Sequence, residues 1–379
     1  MNTTWLGYPS SAAVVPDQMT VLTTSSCTAR CAHCLVRSGP ERDDTLQYRQ
    51  IVQAVEAAHT AGRLSVVVFA GGEPTTLGEQ LLDAIAHVNS LGIGTRLVTN
   101  ASWATNEHSA ATMVTQLREA GLDEINFSAD DFHLPFIPLE CVVNAWRACK
   151  GVGFRSVVIA LSSGPGSKVT PESVQEELGE RVPLTYDDSG DLRSMPPASG
   201  DGTTYLIANN NVYRIGRGRR LRERYVSYPA TQEHLERPCP WAVRSAALSP
   251  KNHLVACCGI EAEHNEVLDF GAVGDSSVTE LVGRANADPL VAAIAELGPR
   301  YLMRRALELD PSLRFRSRYS AICEICEDVT TNPRAVSTLR QASAAIEADV
   351  LAARILHDIG FVAPVEAGLA GADHGGGPS

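Results

Sequence analysis

From Met19 to Leu161 the chain alternates short apolar runs with longer amphipathic segments, and this restricts the fold more than any other feature. Ser65 to Ala70 contains Val-Val-Val-Phe, a continuous apolar run of buried-strand length. Residues 18–26, Thr95 to Thr99, Glu124 to Ser128 and Ser156 to Leu161 read as further strands. Between them lie helical patterns. Residues 45–62 carry Ile51, Val52, Val55 and Ala58 and end at Gly62. Residues 78–91 carry Leu81, Leu82, Ile85, Val88 and Leu91 and stop at Gly92. Residues 109–120 stop at Gly121, and 138–150 form a fourth helix. Alternation at this spacing predicts parallel βαβ units with right-handed crossovers. A sixth strand is expected between Thr203 and Ile215. The Gly-, Pro-, Ser- and Asp-rich stretch 162–202 is expected to hold one short helix, 171–179, and a long loop.

Chemistry gathers after the strands. Cys27-Thr-Ala-Arg-Cys31-Ala-His-Cys34, Gly71-Gly72-Glu73-Pro74, Thr99-Asn100 and Ser128 to His133 each follow a strand's C-terminal end. In parallel α/β sheets and barrels, ligands and catalytic groups collect on that rim. Thiolates at short spacing select iron–sulfur clusters or zinc. Zinc sites pair four ligands, whereas this loop offers three, leaving one coordination position open for chemistry. Ten cysteines without a signal peptide indicate a reducing, cytoplasmic setting and metal ligation, not disulfides. A net charge of −12 argues against nucleic acid as substrate, and no apolar run reaches membrane-span length.

The Cys27-x-x-x-Cys31-x-x-Cys34 loop resembles the signature of the radical SAM superfamily, with His33 at a place that is often aromatic there. The resemblance implies a partial (β/α)6 TIM-like barrel whose three cysteines hold a [4Fe-4S] cluster that binds S-adenosylmethionine. Gly71, Gly72, Glu73 and Pro74 resemble the motif that cradles the cofactor's amino group. Two residues without Cβ atoms allow close backbone approach, and the Glu adds an acceptor. Thr99, Asn100 and Ser128 resemble polar positions that contact its carboxylate and ribose; ordinary strand-end capping is the plain alternative. Asp130, Asp131 and His133 are candidates for substrate positioning or proton removal, against a simple capping role. Arg217, in the basic run from Arg214 to Arg224, is the candidate for the cofactor carboxylate. The other arginines of the run are a solvated face or a docking surface for an acidic substrate segment. Cys141 and Cys149 read as small core residues.

A second cysteine set lies downstream. Cys239 precedes a hairpin signal, Ser245 to Ser249 and Leu254 to Cys257 around Pro250-Lys-Asn-His, and Cys257-Cys258 end it. Cys323-Glu-Ile-Cys326 follows later. Cys239, Cys257 or Cys258, Cys323 and Cys326 make a four-thiolate set, which suits either zinc or an auxiliary [4Fe-4S] cluster. The arrangement resembles the SPASM and twitch subfamilies, with Asn252 where Gly is usual and Leu268 to Val282 resembling their connector. Five cysteines in the region imply one auxiliary cluster, closer to twitch. Helices are expected over 277–310, broken at Gly298-Pro299, and a final one over about 333–357.

The expected organisation is an N-terminal lead (1–17), the barrel (18–225), an auxiliary-cluster domain (226–330), a C-terminal helix (331–366) and a disordered tail (367–379). The implied function is a radical SAM oxidoreductase served by a reductase or a flavodoxin/ferredoxin-type donor. Maturation of a ribosomally made peptide is the first expectation. The lead is too short to recognise a peptide alone, so a separate recognition protein would be required. Oxidation of a small metabolite, such as an amino sugar or cyclitol, is the second. A zinc-stapled binding protein without catalysis is the reading from another class.

Overall fold

The computed structural model describes residues 14–185, 196–259 and 262–358. The expected lead up to residue 13 and the expected tail lie outside them. Six parallel strands come first: β1 (Gln18–Leu22), β2 (Val66–Ala70), β3 (Gly94–Thr99), β4 (Glu124–Ser128), β5 (Ser156–Ser163) and β6 (Thr204–Asn211). They are joined through α1 (Tyr48–Thr60), α2 (Glu79–Ser90), α3 (Glu107–Glu119), α4 (Leu139–Ala148) and α5 (Pro171–Leu178). The strands pair in sequence order, from Gln18 against Val66 to Ser163 against Asn211. This is an α/β partial barrel, an open sheet of parallel strands with helices outside.

Side-chain alternation sorts the two faces. Leu97, Ile125 and Phe127 are buried under the helices, where Val55, Ile85, Val114 and Trp146 pack against them in one apolar cluster. Arg96, Val98, Asn126 and Ser128 face the inside of the curve. The helices stop as their composition predicts. Asn106 caps α3 by accepting from the Ser109 amide, and Gly62, Gly92 and Gly121 follow helix ends at positive φ.

The sheet continues beyond the barrel. β7 (Ser245–Leu248) adds to the free side of β1 in parallel, and β8 (His253–Val255) and β9 (Asp269–Ala272) extend it antiparallel. Asn252 takes the left-handed position of the β7–β8 turn at φ 64°, which Asn tolerates better than most residues. α6 (Val278–Ala287), α7 (Pro289–Glu296), α8 (Pro299–Leu309), α9 (Ile322–Thr330), α10 (Pro333–Gln341) and α11 (Ser343–Asp358) build a second apolar cluster around Leu290, Leu302, Ile325 and Leu339.

Three expectations change. The first strand ends at Leu22, not residue 26: the chain leaves the sheet there, and residues 24–26 bridge instead to Thr45 and Gly39 across the cysteine loop. The sixth strand ends at Asn211, where its partner β5 runs out, so Val212 to Ile215 are free to turn toward that loop. The final helix is two helices broken at Ala342, because α10 packs on α8 and α9 while α11 packs on α7.

Candidate active site

The cysteine loop is closed by its own backbone. Cys27 donates its amide to Gly39 O (3.3 Å), and Gly39 donates to Ser25 O (3.1 Å). The turn after β2 is stitched to the loop's entry: Gly72 donates to Thr24 O (2.6 Å) and Glu73 to Ser26 O (2.9 Å). The glycines are required by this contact. A Cβ on Gly72 would lie 1.8 Å from Ser26 O, and one on Gly71 2.7 Å from Thr24 O at φ +123°.

Glu73 is fully buried. Burial pushes its carboxyl above the usual range, against hydrogen bonds from the Asn100 amide and from Thr75 and Thr99. It accepts from Thr99 Oγ1 at 2.7 Å and the Asn100 amide at 2.8 Å, tying the end of β2 to the end of β3. Pro74 opens a short 3-10 turn, Pro74–Leu77, capped by the same carboxylate. Asn100 then reaches the cysteine loop. Its Nδ2 donates to Thr28 Oγ1 (3.0 Å) and lies 3.7 Å from Cys27 Sγ. Burial pushes the Cys27 thiol up to about 12, despite the Ala29 amide that donates to its sulfur. Cys34 is raised by the same cause. Thiols so disfavoured as bare anions are poised for a metal that stabilises the thiolate.

A cavity of about 630 Å³ opens over this rim. Cys27, Cys31 and Cys34 line it with Gly71, Gly72, Thr99, Asn100 and Ser128, and Arg96 and Asn126 lie on its barrel side. Asn126 Oδ1 is buried without a hydrogen-bond partner, a free acceptor toward the cavity. Three thiols around one cavity, a Cβ-free turn beside them and an amide donor aimed at a sulfur fit an open three-cysteine cluster with its cofactor.

Asp130 and His133 join the rim, and His33 from the cysteine loop completes their group. Asp130 Oδ1 meets His133 Nδ1 at 2.9 Å, and its Oδ2 meets His33 Nε2 at 3.2 Å. His33 stacks on Phe132. Burial alone would raise Asp130, but the two imidazoles outweigh it and hold its carboxyl well below the usual range. Burial opposes charge on His133, while Asp130 and a bond to the Cys31 side chain raise it to about 10. Among the described residues, these three are the one trio whose metal-ligating atoms all lie within 4.8 Å of one another. Both carboxylate oxygens already meet a ring nitrogen, so hydrogen bonding accounts for the trio without a metal.

Asp131 is not brought to this group; its carboxylate accepts from the Lys168 and Val169 amides ahead of α5. Arg217 touches the cysteine loop itself. Its Nη1 donates to Cys31 O (2.9 Å), its Nη2 to Ser38 O, and its amide to Cys34 O (3.0 Å).

The second cysteine set assembles beside the first. Cys239 precedes β7, Cys257 and Cys258 follow β8, and Cys323 and Cys326 sit on α9. Burial, with neighbouring thiols adding to it, raises Cys239 to about 11 and Cys323 to about 12. Burial raises Cys326 too, followed by Cys257, Cys239 and Cys323. For Cys258 the first cause is its bond to Cys257. Cys257, Cys258 and Cys323 line the same 630 Å³ cavity as the first loop. Sequence reasoning missed Glu324 and Glu327, which flank the second set's Cys326. Their burial, 0% and 7% exposed, is the feature that distinguishes them from surface carboxylates.

Residues 21–175 match the family model of the radical SAM superfamily, so the chain carries a domain of that superfamily. That family implies a 4Fe-4S cluster and S-adenosylmethionine. The chain is similar to GTP 3′,8-cyclase of Clostridium botulinum (strain Hall), 29% identical over 119 residues, 30% of this chain and 35% of that protein. It is also similar to YydG of Bacillus subtilis, a protein named for peptide biosynthesis: 20% identical over 158 residues, 42% of this chain and 49% of that one. The chain thus spans a third to a half of the length of these curated relatives. Among solved structures it is similar to BtrN in complex with AdoMet and 2-DOIA, with a TM-score of 0.44, 13% identity, and 76% of this chain and 89% of that chain covered. Among the described residues, no helix is long and apolar enough to cross a membrane.

Proposed function

We propose that this chain is a radical SAM oxidoreductase that matures a ribosomally made peptide by cross-linking or side-chain oxidation. The observation that carries the chemistry is the convergence of Cys27, Cys31 and Cys34 with Gly71, Gly72 and Asn100 on one cavity. The barrel over 18–225 is the catalytic part, and 226–330 holds the second cysteine set.

Bound there, a [4Fe-4S] cluster with S-adenosylmethionine would supply one-electron reduction and radical hydrogen abstraction. The chain's own residues bind and orient. Cys27, Cys31 and Cys34 would hold the cluster's irons. Asn100 donates toward the Cys27 sulfur, and the Arg217 guanidinium fixes the loop through the Cys31 and Ser38 carbonyls. Glu73 locks the ends of β2 and β3 so that Gly71 and Gly72 present backbone to the cofactor, with Thr99 and Ser128 beside them. Asp130 orients His133 against Cys31 and His33 against Phe132, on the side facing the substrate space. The second set, Cys239, Cys257, Cys323 and Cys326, would hold an auxiliary [4Fe-4S] cluster to accept the electron left after hydrogen removal. A flavodoxin or ferredoxin-type protein is the expected donor.

The likeness to YydG favours a peptide substrate. A small metabolite is the second reading, favoured by a cavity whose 630 Å³ must seat both cofactor and substrate. Anaerobically reconstituted protein given reductant and S-adenosylmethionine should release 5′-deoxyadenosine, and Cys31→Ala should release none. Cleavage surviving in Cys31→Ala, with its cluster verified absent, rejects the catalytic assignment. A mass loss of two hydrogens in a short peptide encoded beside the gene separates peptide from metabolite. Colourless protein that carries zinc and no iron points instead to the non-catalytic binding protein.

A further inference from the structure

α9 carries two neighbouring stripes. Cys323 and Cys326 face the second cysteine set, while Glu324, Glu327 and Asp328 continue around the helix toward the segment after β6. These carboxylates take hold of that segment's backbone. Glu324 Oε1 accepts from the Arg214 amide at 2.7 Å, and Glu327 Oε1 from the Gly216 amide at 2.9 Å. Arg219 closes the grip, with Nη1 2.9 Å from Glu327 Oε2 and Nη2 3.0 Å from Asp328 Oδ1.

The held segment in turn grips the catalytic cysteine loop. Arg217 bonds the carbonyls of Cys31, Cys34 and Ser38. Gly216 sits against the loop so closely that a Cβ would lie 2.4 Å from Leu35 O and 2.7 Å from Cys34 O. A Cβ on Gly218 would lie 2.7 Å from Tyr213 O and 3.5 Å from His33 Cα. Loop, Gly216–Arg219 and α9 therefore form one continuous chain of contacts between the two cysteine sets.

We propose that Glu327 is a positioning residue for the catalytic cysteine loop, acting through the Gly216 amide and Arg219, and that α9 thereby links the second cysteine set to the first. The inference rests on the radical SAM reading given above. Buried carboxylates that accept backbone amides fix geometry, because the bond is charge-assisted and no water competes for it. Outer partners of this kind orient the ligands of a metal site and change its affinity about ten- to a hundredfold when removed.

The test uses the full chain, anaerobically reconstituted and reduced, titrated with S-adenosylmethionine and followed by the cofactor-induced change in its EPR spectrum. Glu327→Ala should weaken that titration about ten- to a hundredfold, with the iron content unchanged. Glu327→Gln should recover most of it, since the amide oxygen still accepts from Gly216, which a general loss of stability would not permit. Gly218→Ala disturbs the clamp from the other side with α9 untouched, and should reproduce the defect. A wild-type titration in folded Glu327→Ala overturns the proposal, whatever Gly218→Ala shows. If circular dichroism shows Glu327→Ala unfolded, Gly218→Ala decides alone. A wild-type protein whose spectrum ignores S-adenosylmethionine rejects the radical SAM reading itself, and the inference with it.

Discussion

Gly72 marks the closest approach between the turn after β2 and the cysteine loop. Its missing Cβ would fall 1.8 Å from a backbone oxygen, an atom that cannot swing aside as a side chain can. Gly72→Ala must therefore displace Ser26 and with it the loop that carries Cys27. The expected outcome is loss of most of the 5′-deoxyadenosine formed per chain, at least about tenfold, quantified by chromatography. Gly179 provides the matched control. It adopts the left-handed conformation, φ 72° and ψ 18°, with nothing near the place of a Cβ. Gly179→Ala meets only the intrinsic left-handed penalty, about 1–2 kcal/mol, read as a lower melting temperature with cleavage retained. The glycine pair was legible in the sequence as a close approach. The partner it approaches was not, because Thr24 and Ser26 are far from it in the chain and only the fold brings them together.

At the scale of elements, periodicity identified the six parallel strands and the helices between them, since each buries one face and its sequence shows that face. It failed where a tertiary contact decides. Nothing in the helical pattern of 333–357 signals the break at Ala342, which exists because the two halves pack against different helices. The clamp from α9 to Gly216 was equally hidden, since acidic residues in a helix normally read as a solvated face. α4 shows the opposite case. Cys141 and Cys149 lie on its buried face and after its end, 6% and 0% exposed, among apolar neighbours. Burial pushes both thiols up. They are core residues, as expected from the sequence, so the double variant Cys141→Ala/Cys149→Ala should bind as much iron as wild type. A loss of one cluster's worth of iron would place a ligand on α4 and revise the ligand sets.

Across the whole molecule, the parallel addition of β7 to β1 is what puts two cysteine sets on one cavity. The first set hangs from the end of β1, and the second begins where the β7–β8 hairpin extends the same sheet. This proximity would give an auxiliary cluster a route to a substrate seated in that cavity, which a remote zinc staple would not need. Iron and sulfide content separates the alternatives. Two [4Fe-4S] clusters require about eight irons per chain in wild type, about four in the Cys27/Cys31/Cys34→Ala variant and about four in Cys323→Ala/Cys326→Ala. The second variant should keep some cofactor cleavage, because its first loop retains all three ligands and the Arg217 contacts, but cleavage uncoupled from product. Iron unchanged in Cys323→Ala/Cys326→Ala would remove the second cluster from the ligand assignment. About four irons in wild type and none in the triple variant, with zinc found alongside, would leave the catalytic loop standing and make the hairpin set a structural site. The electron left after hydrogen removal would then have to leave through the first cluster or through an external acceptor.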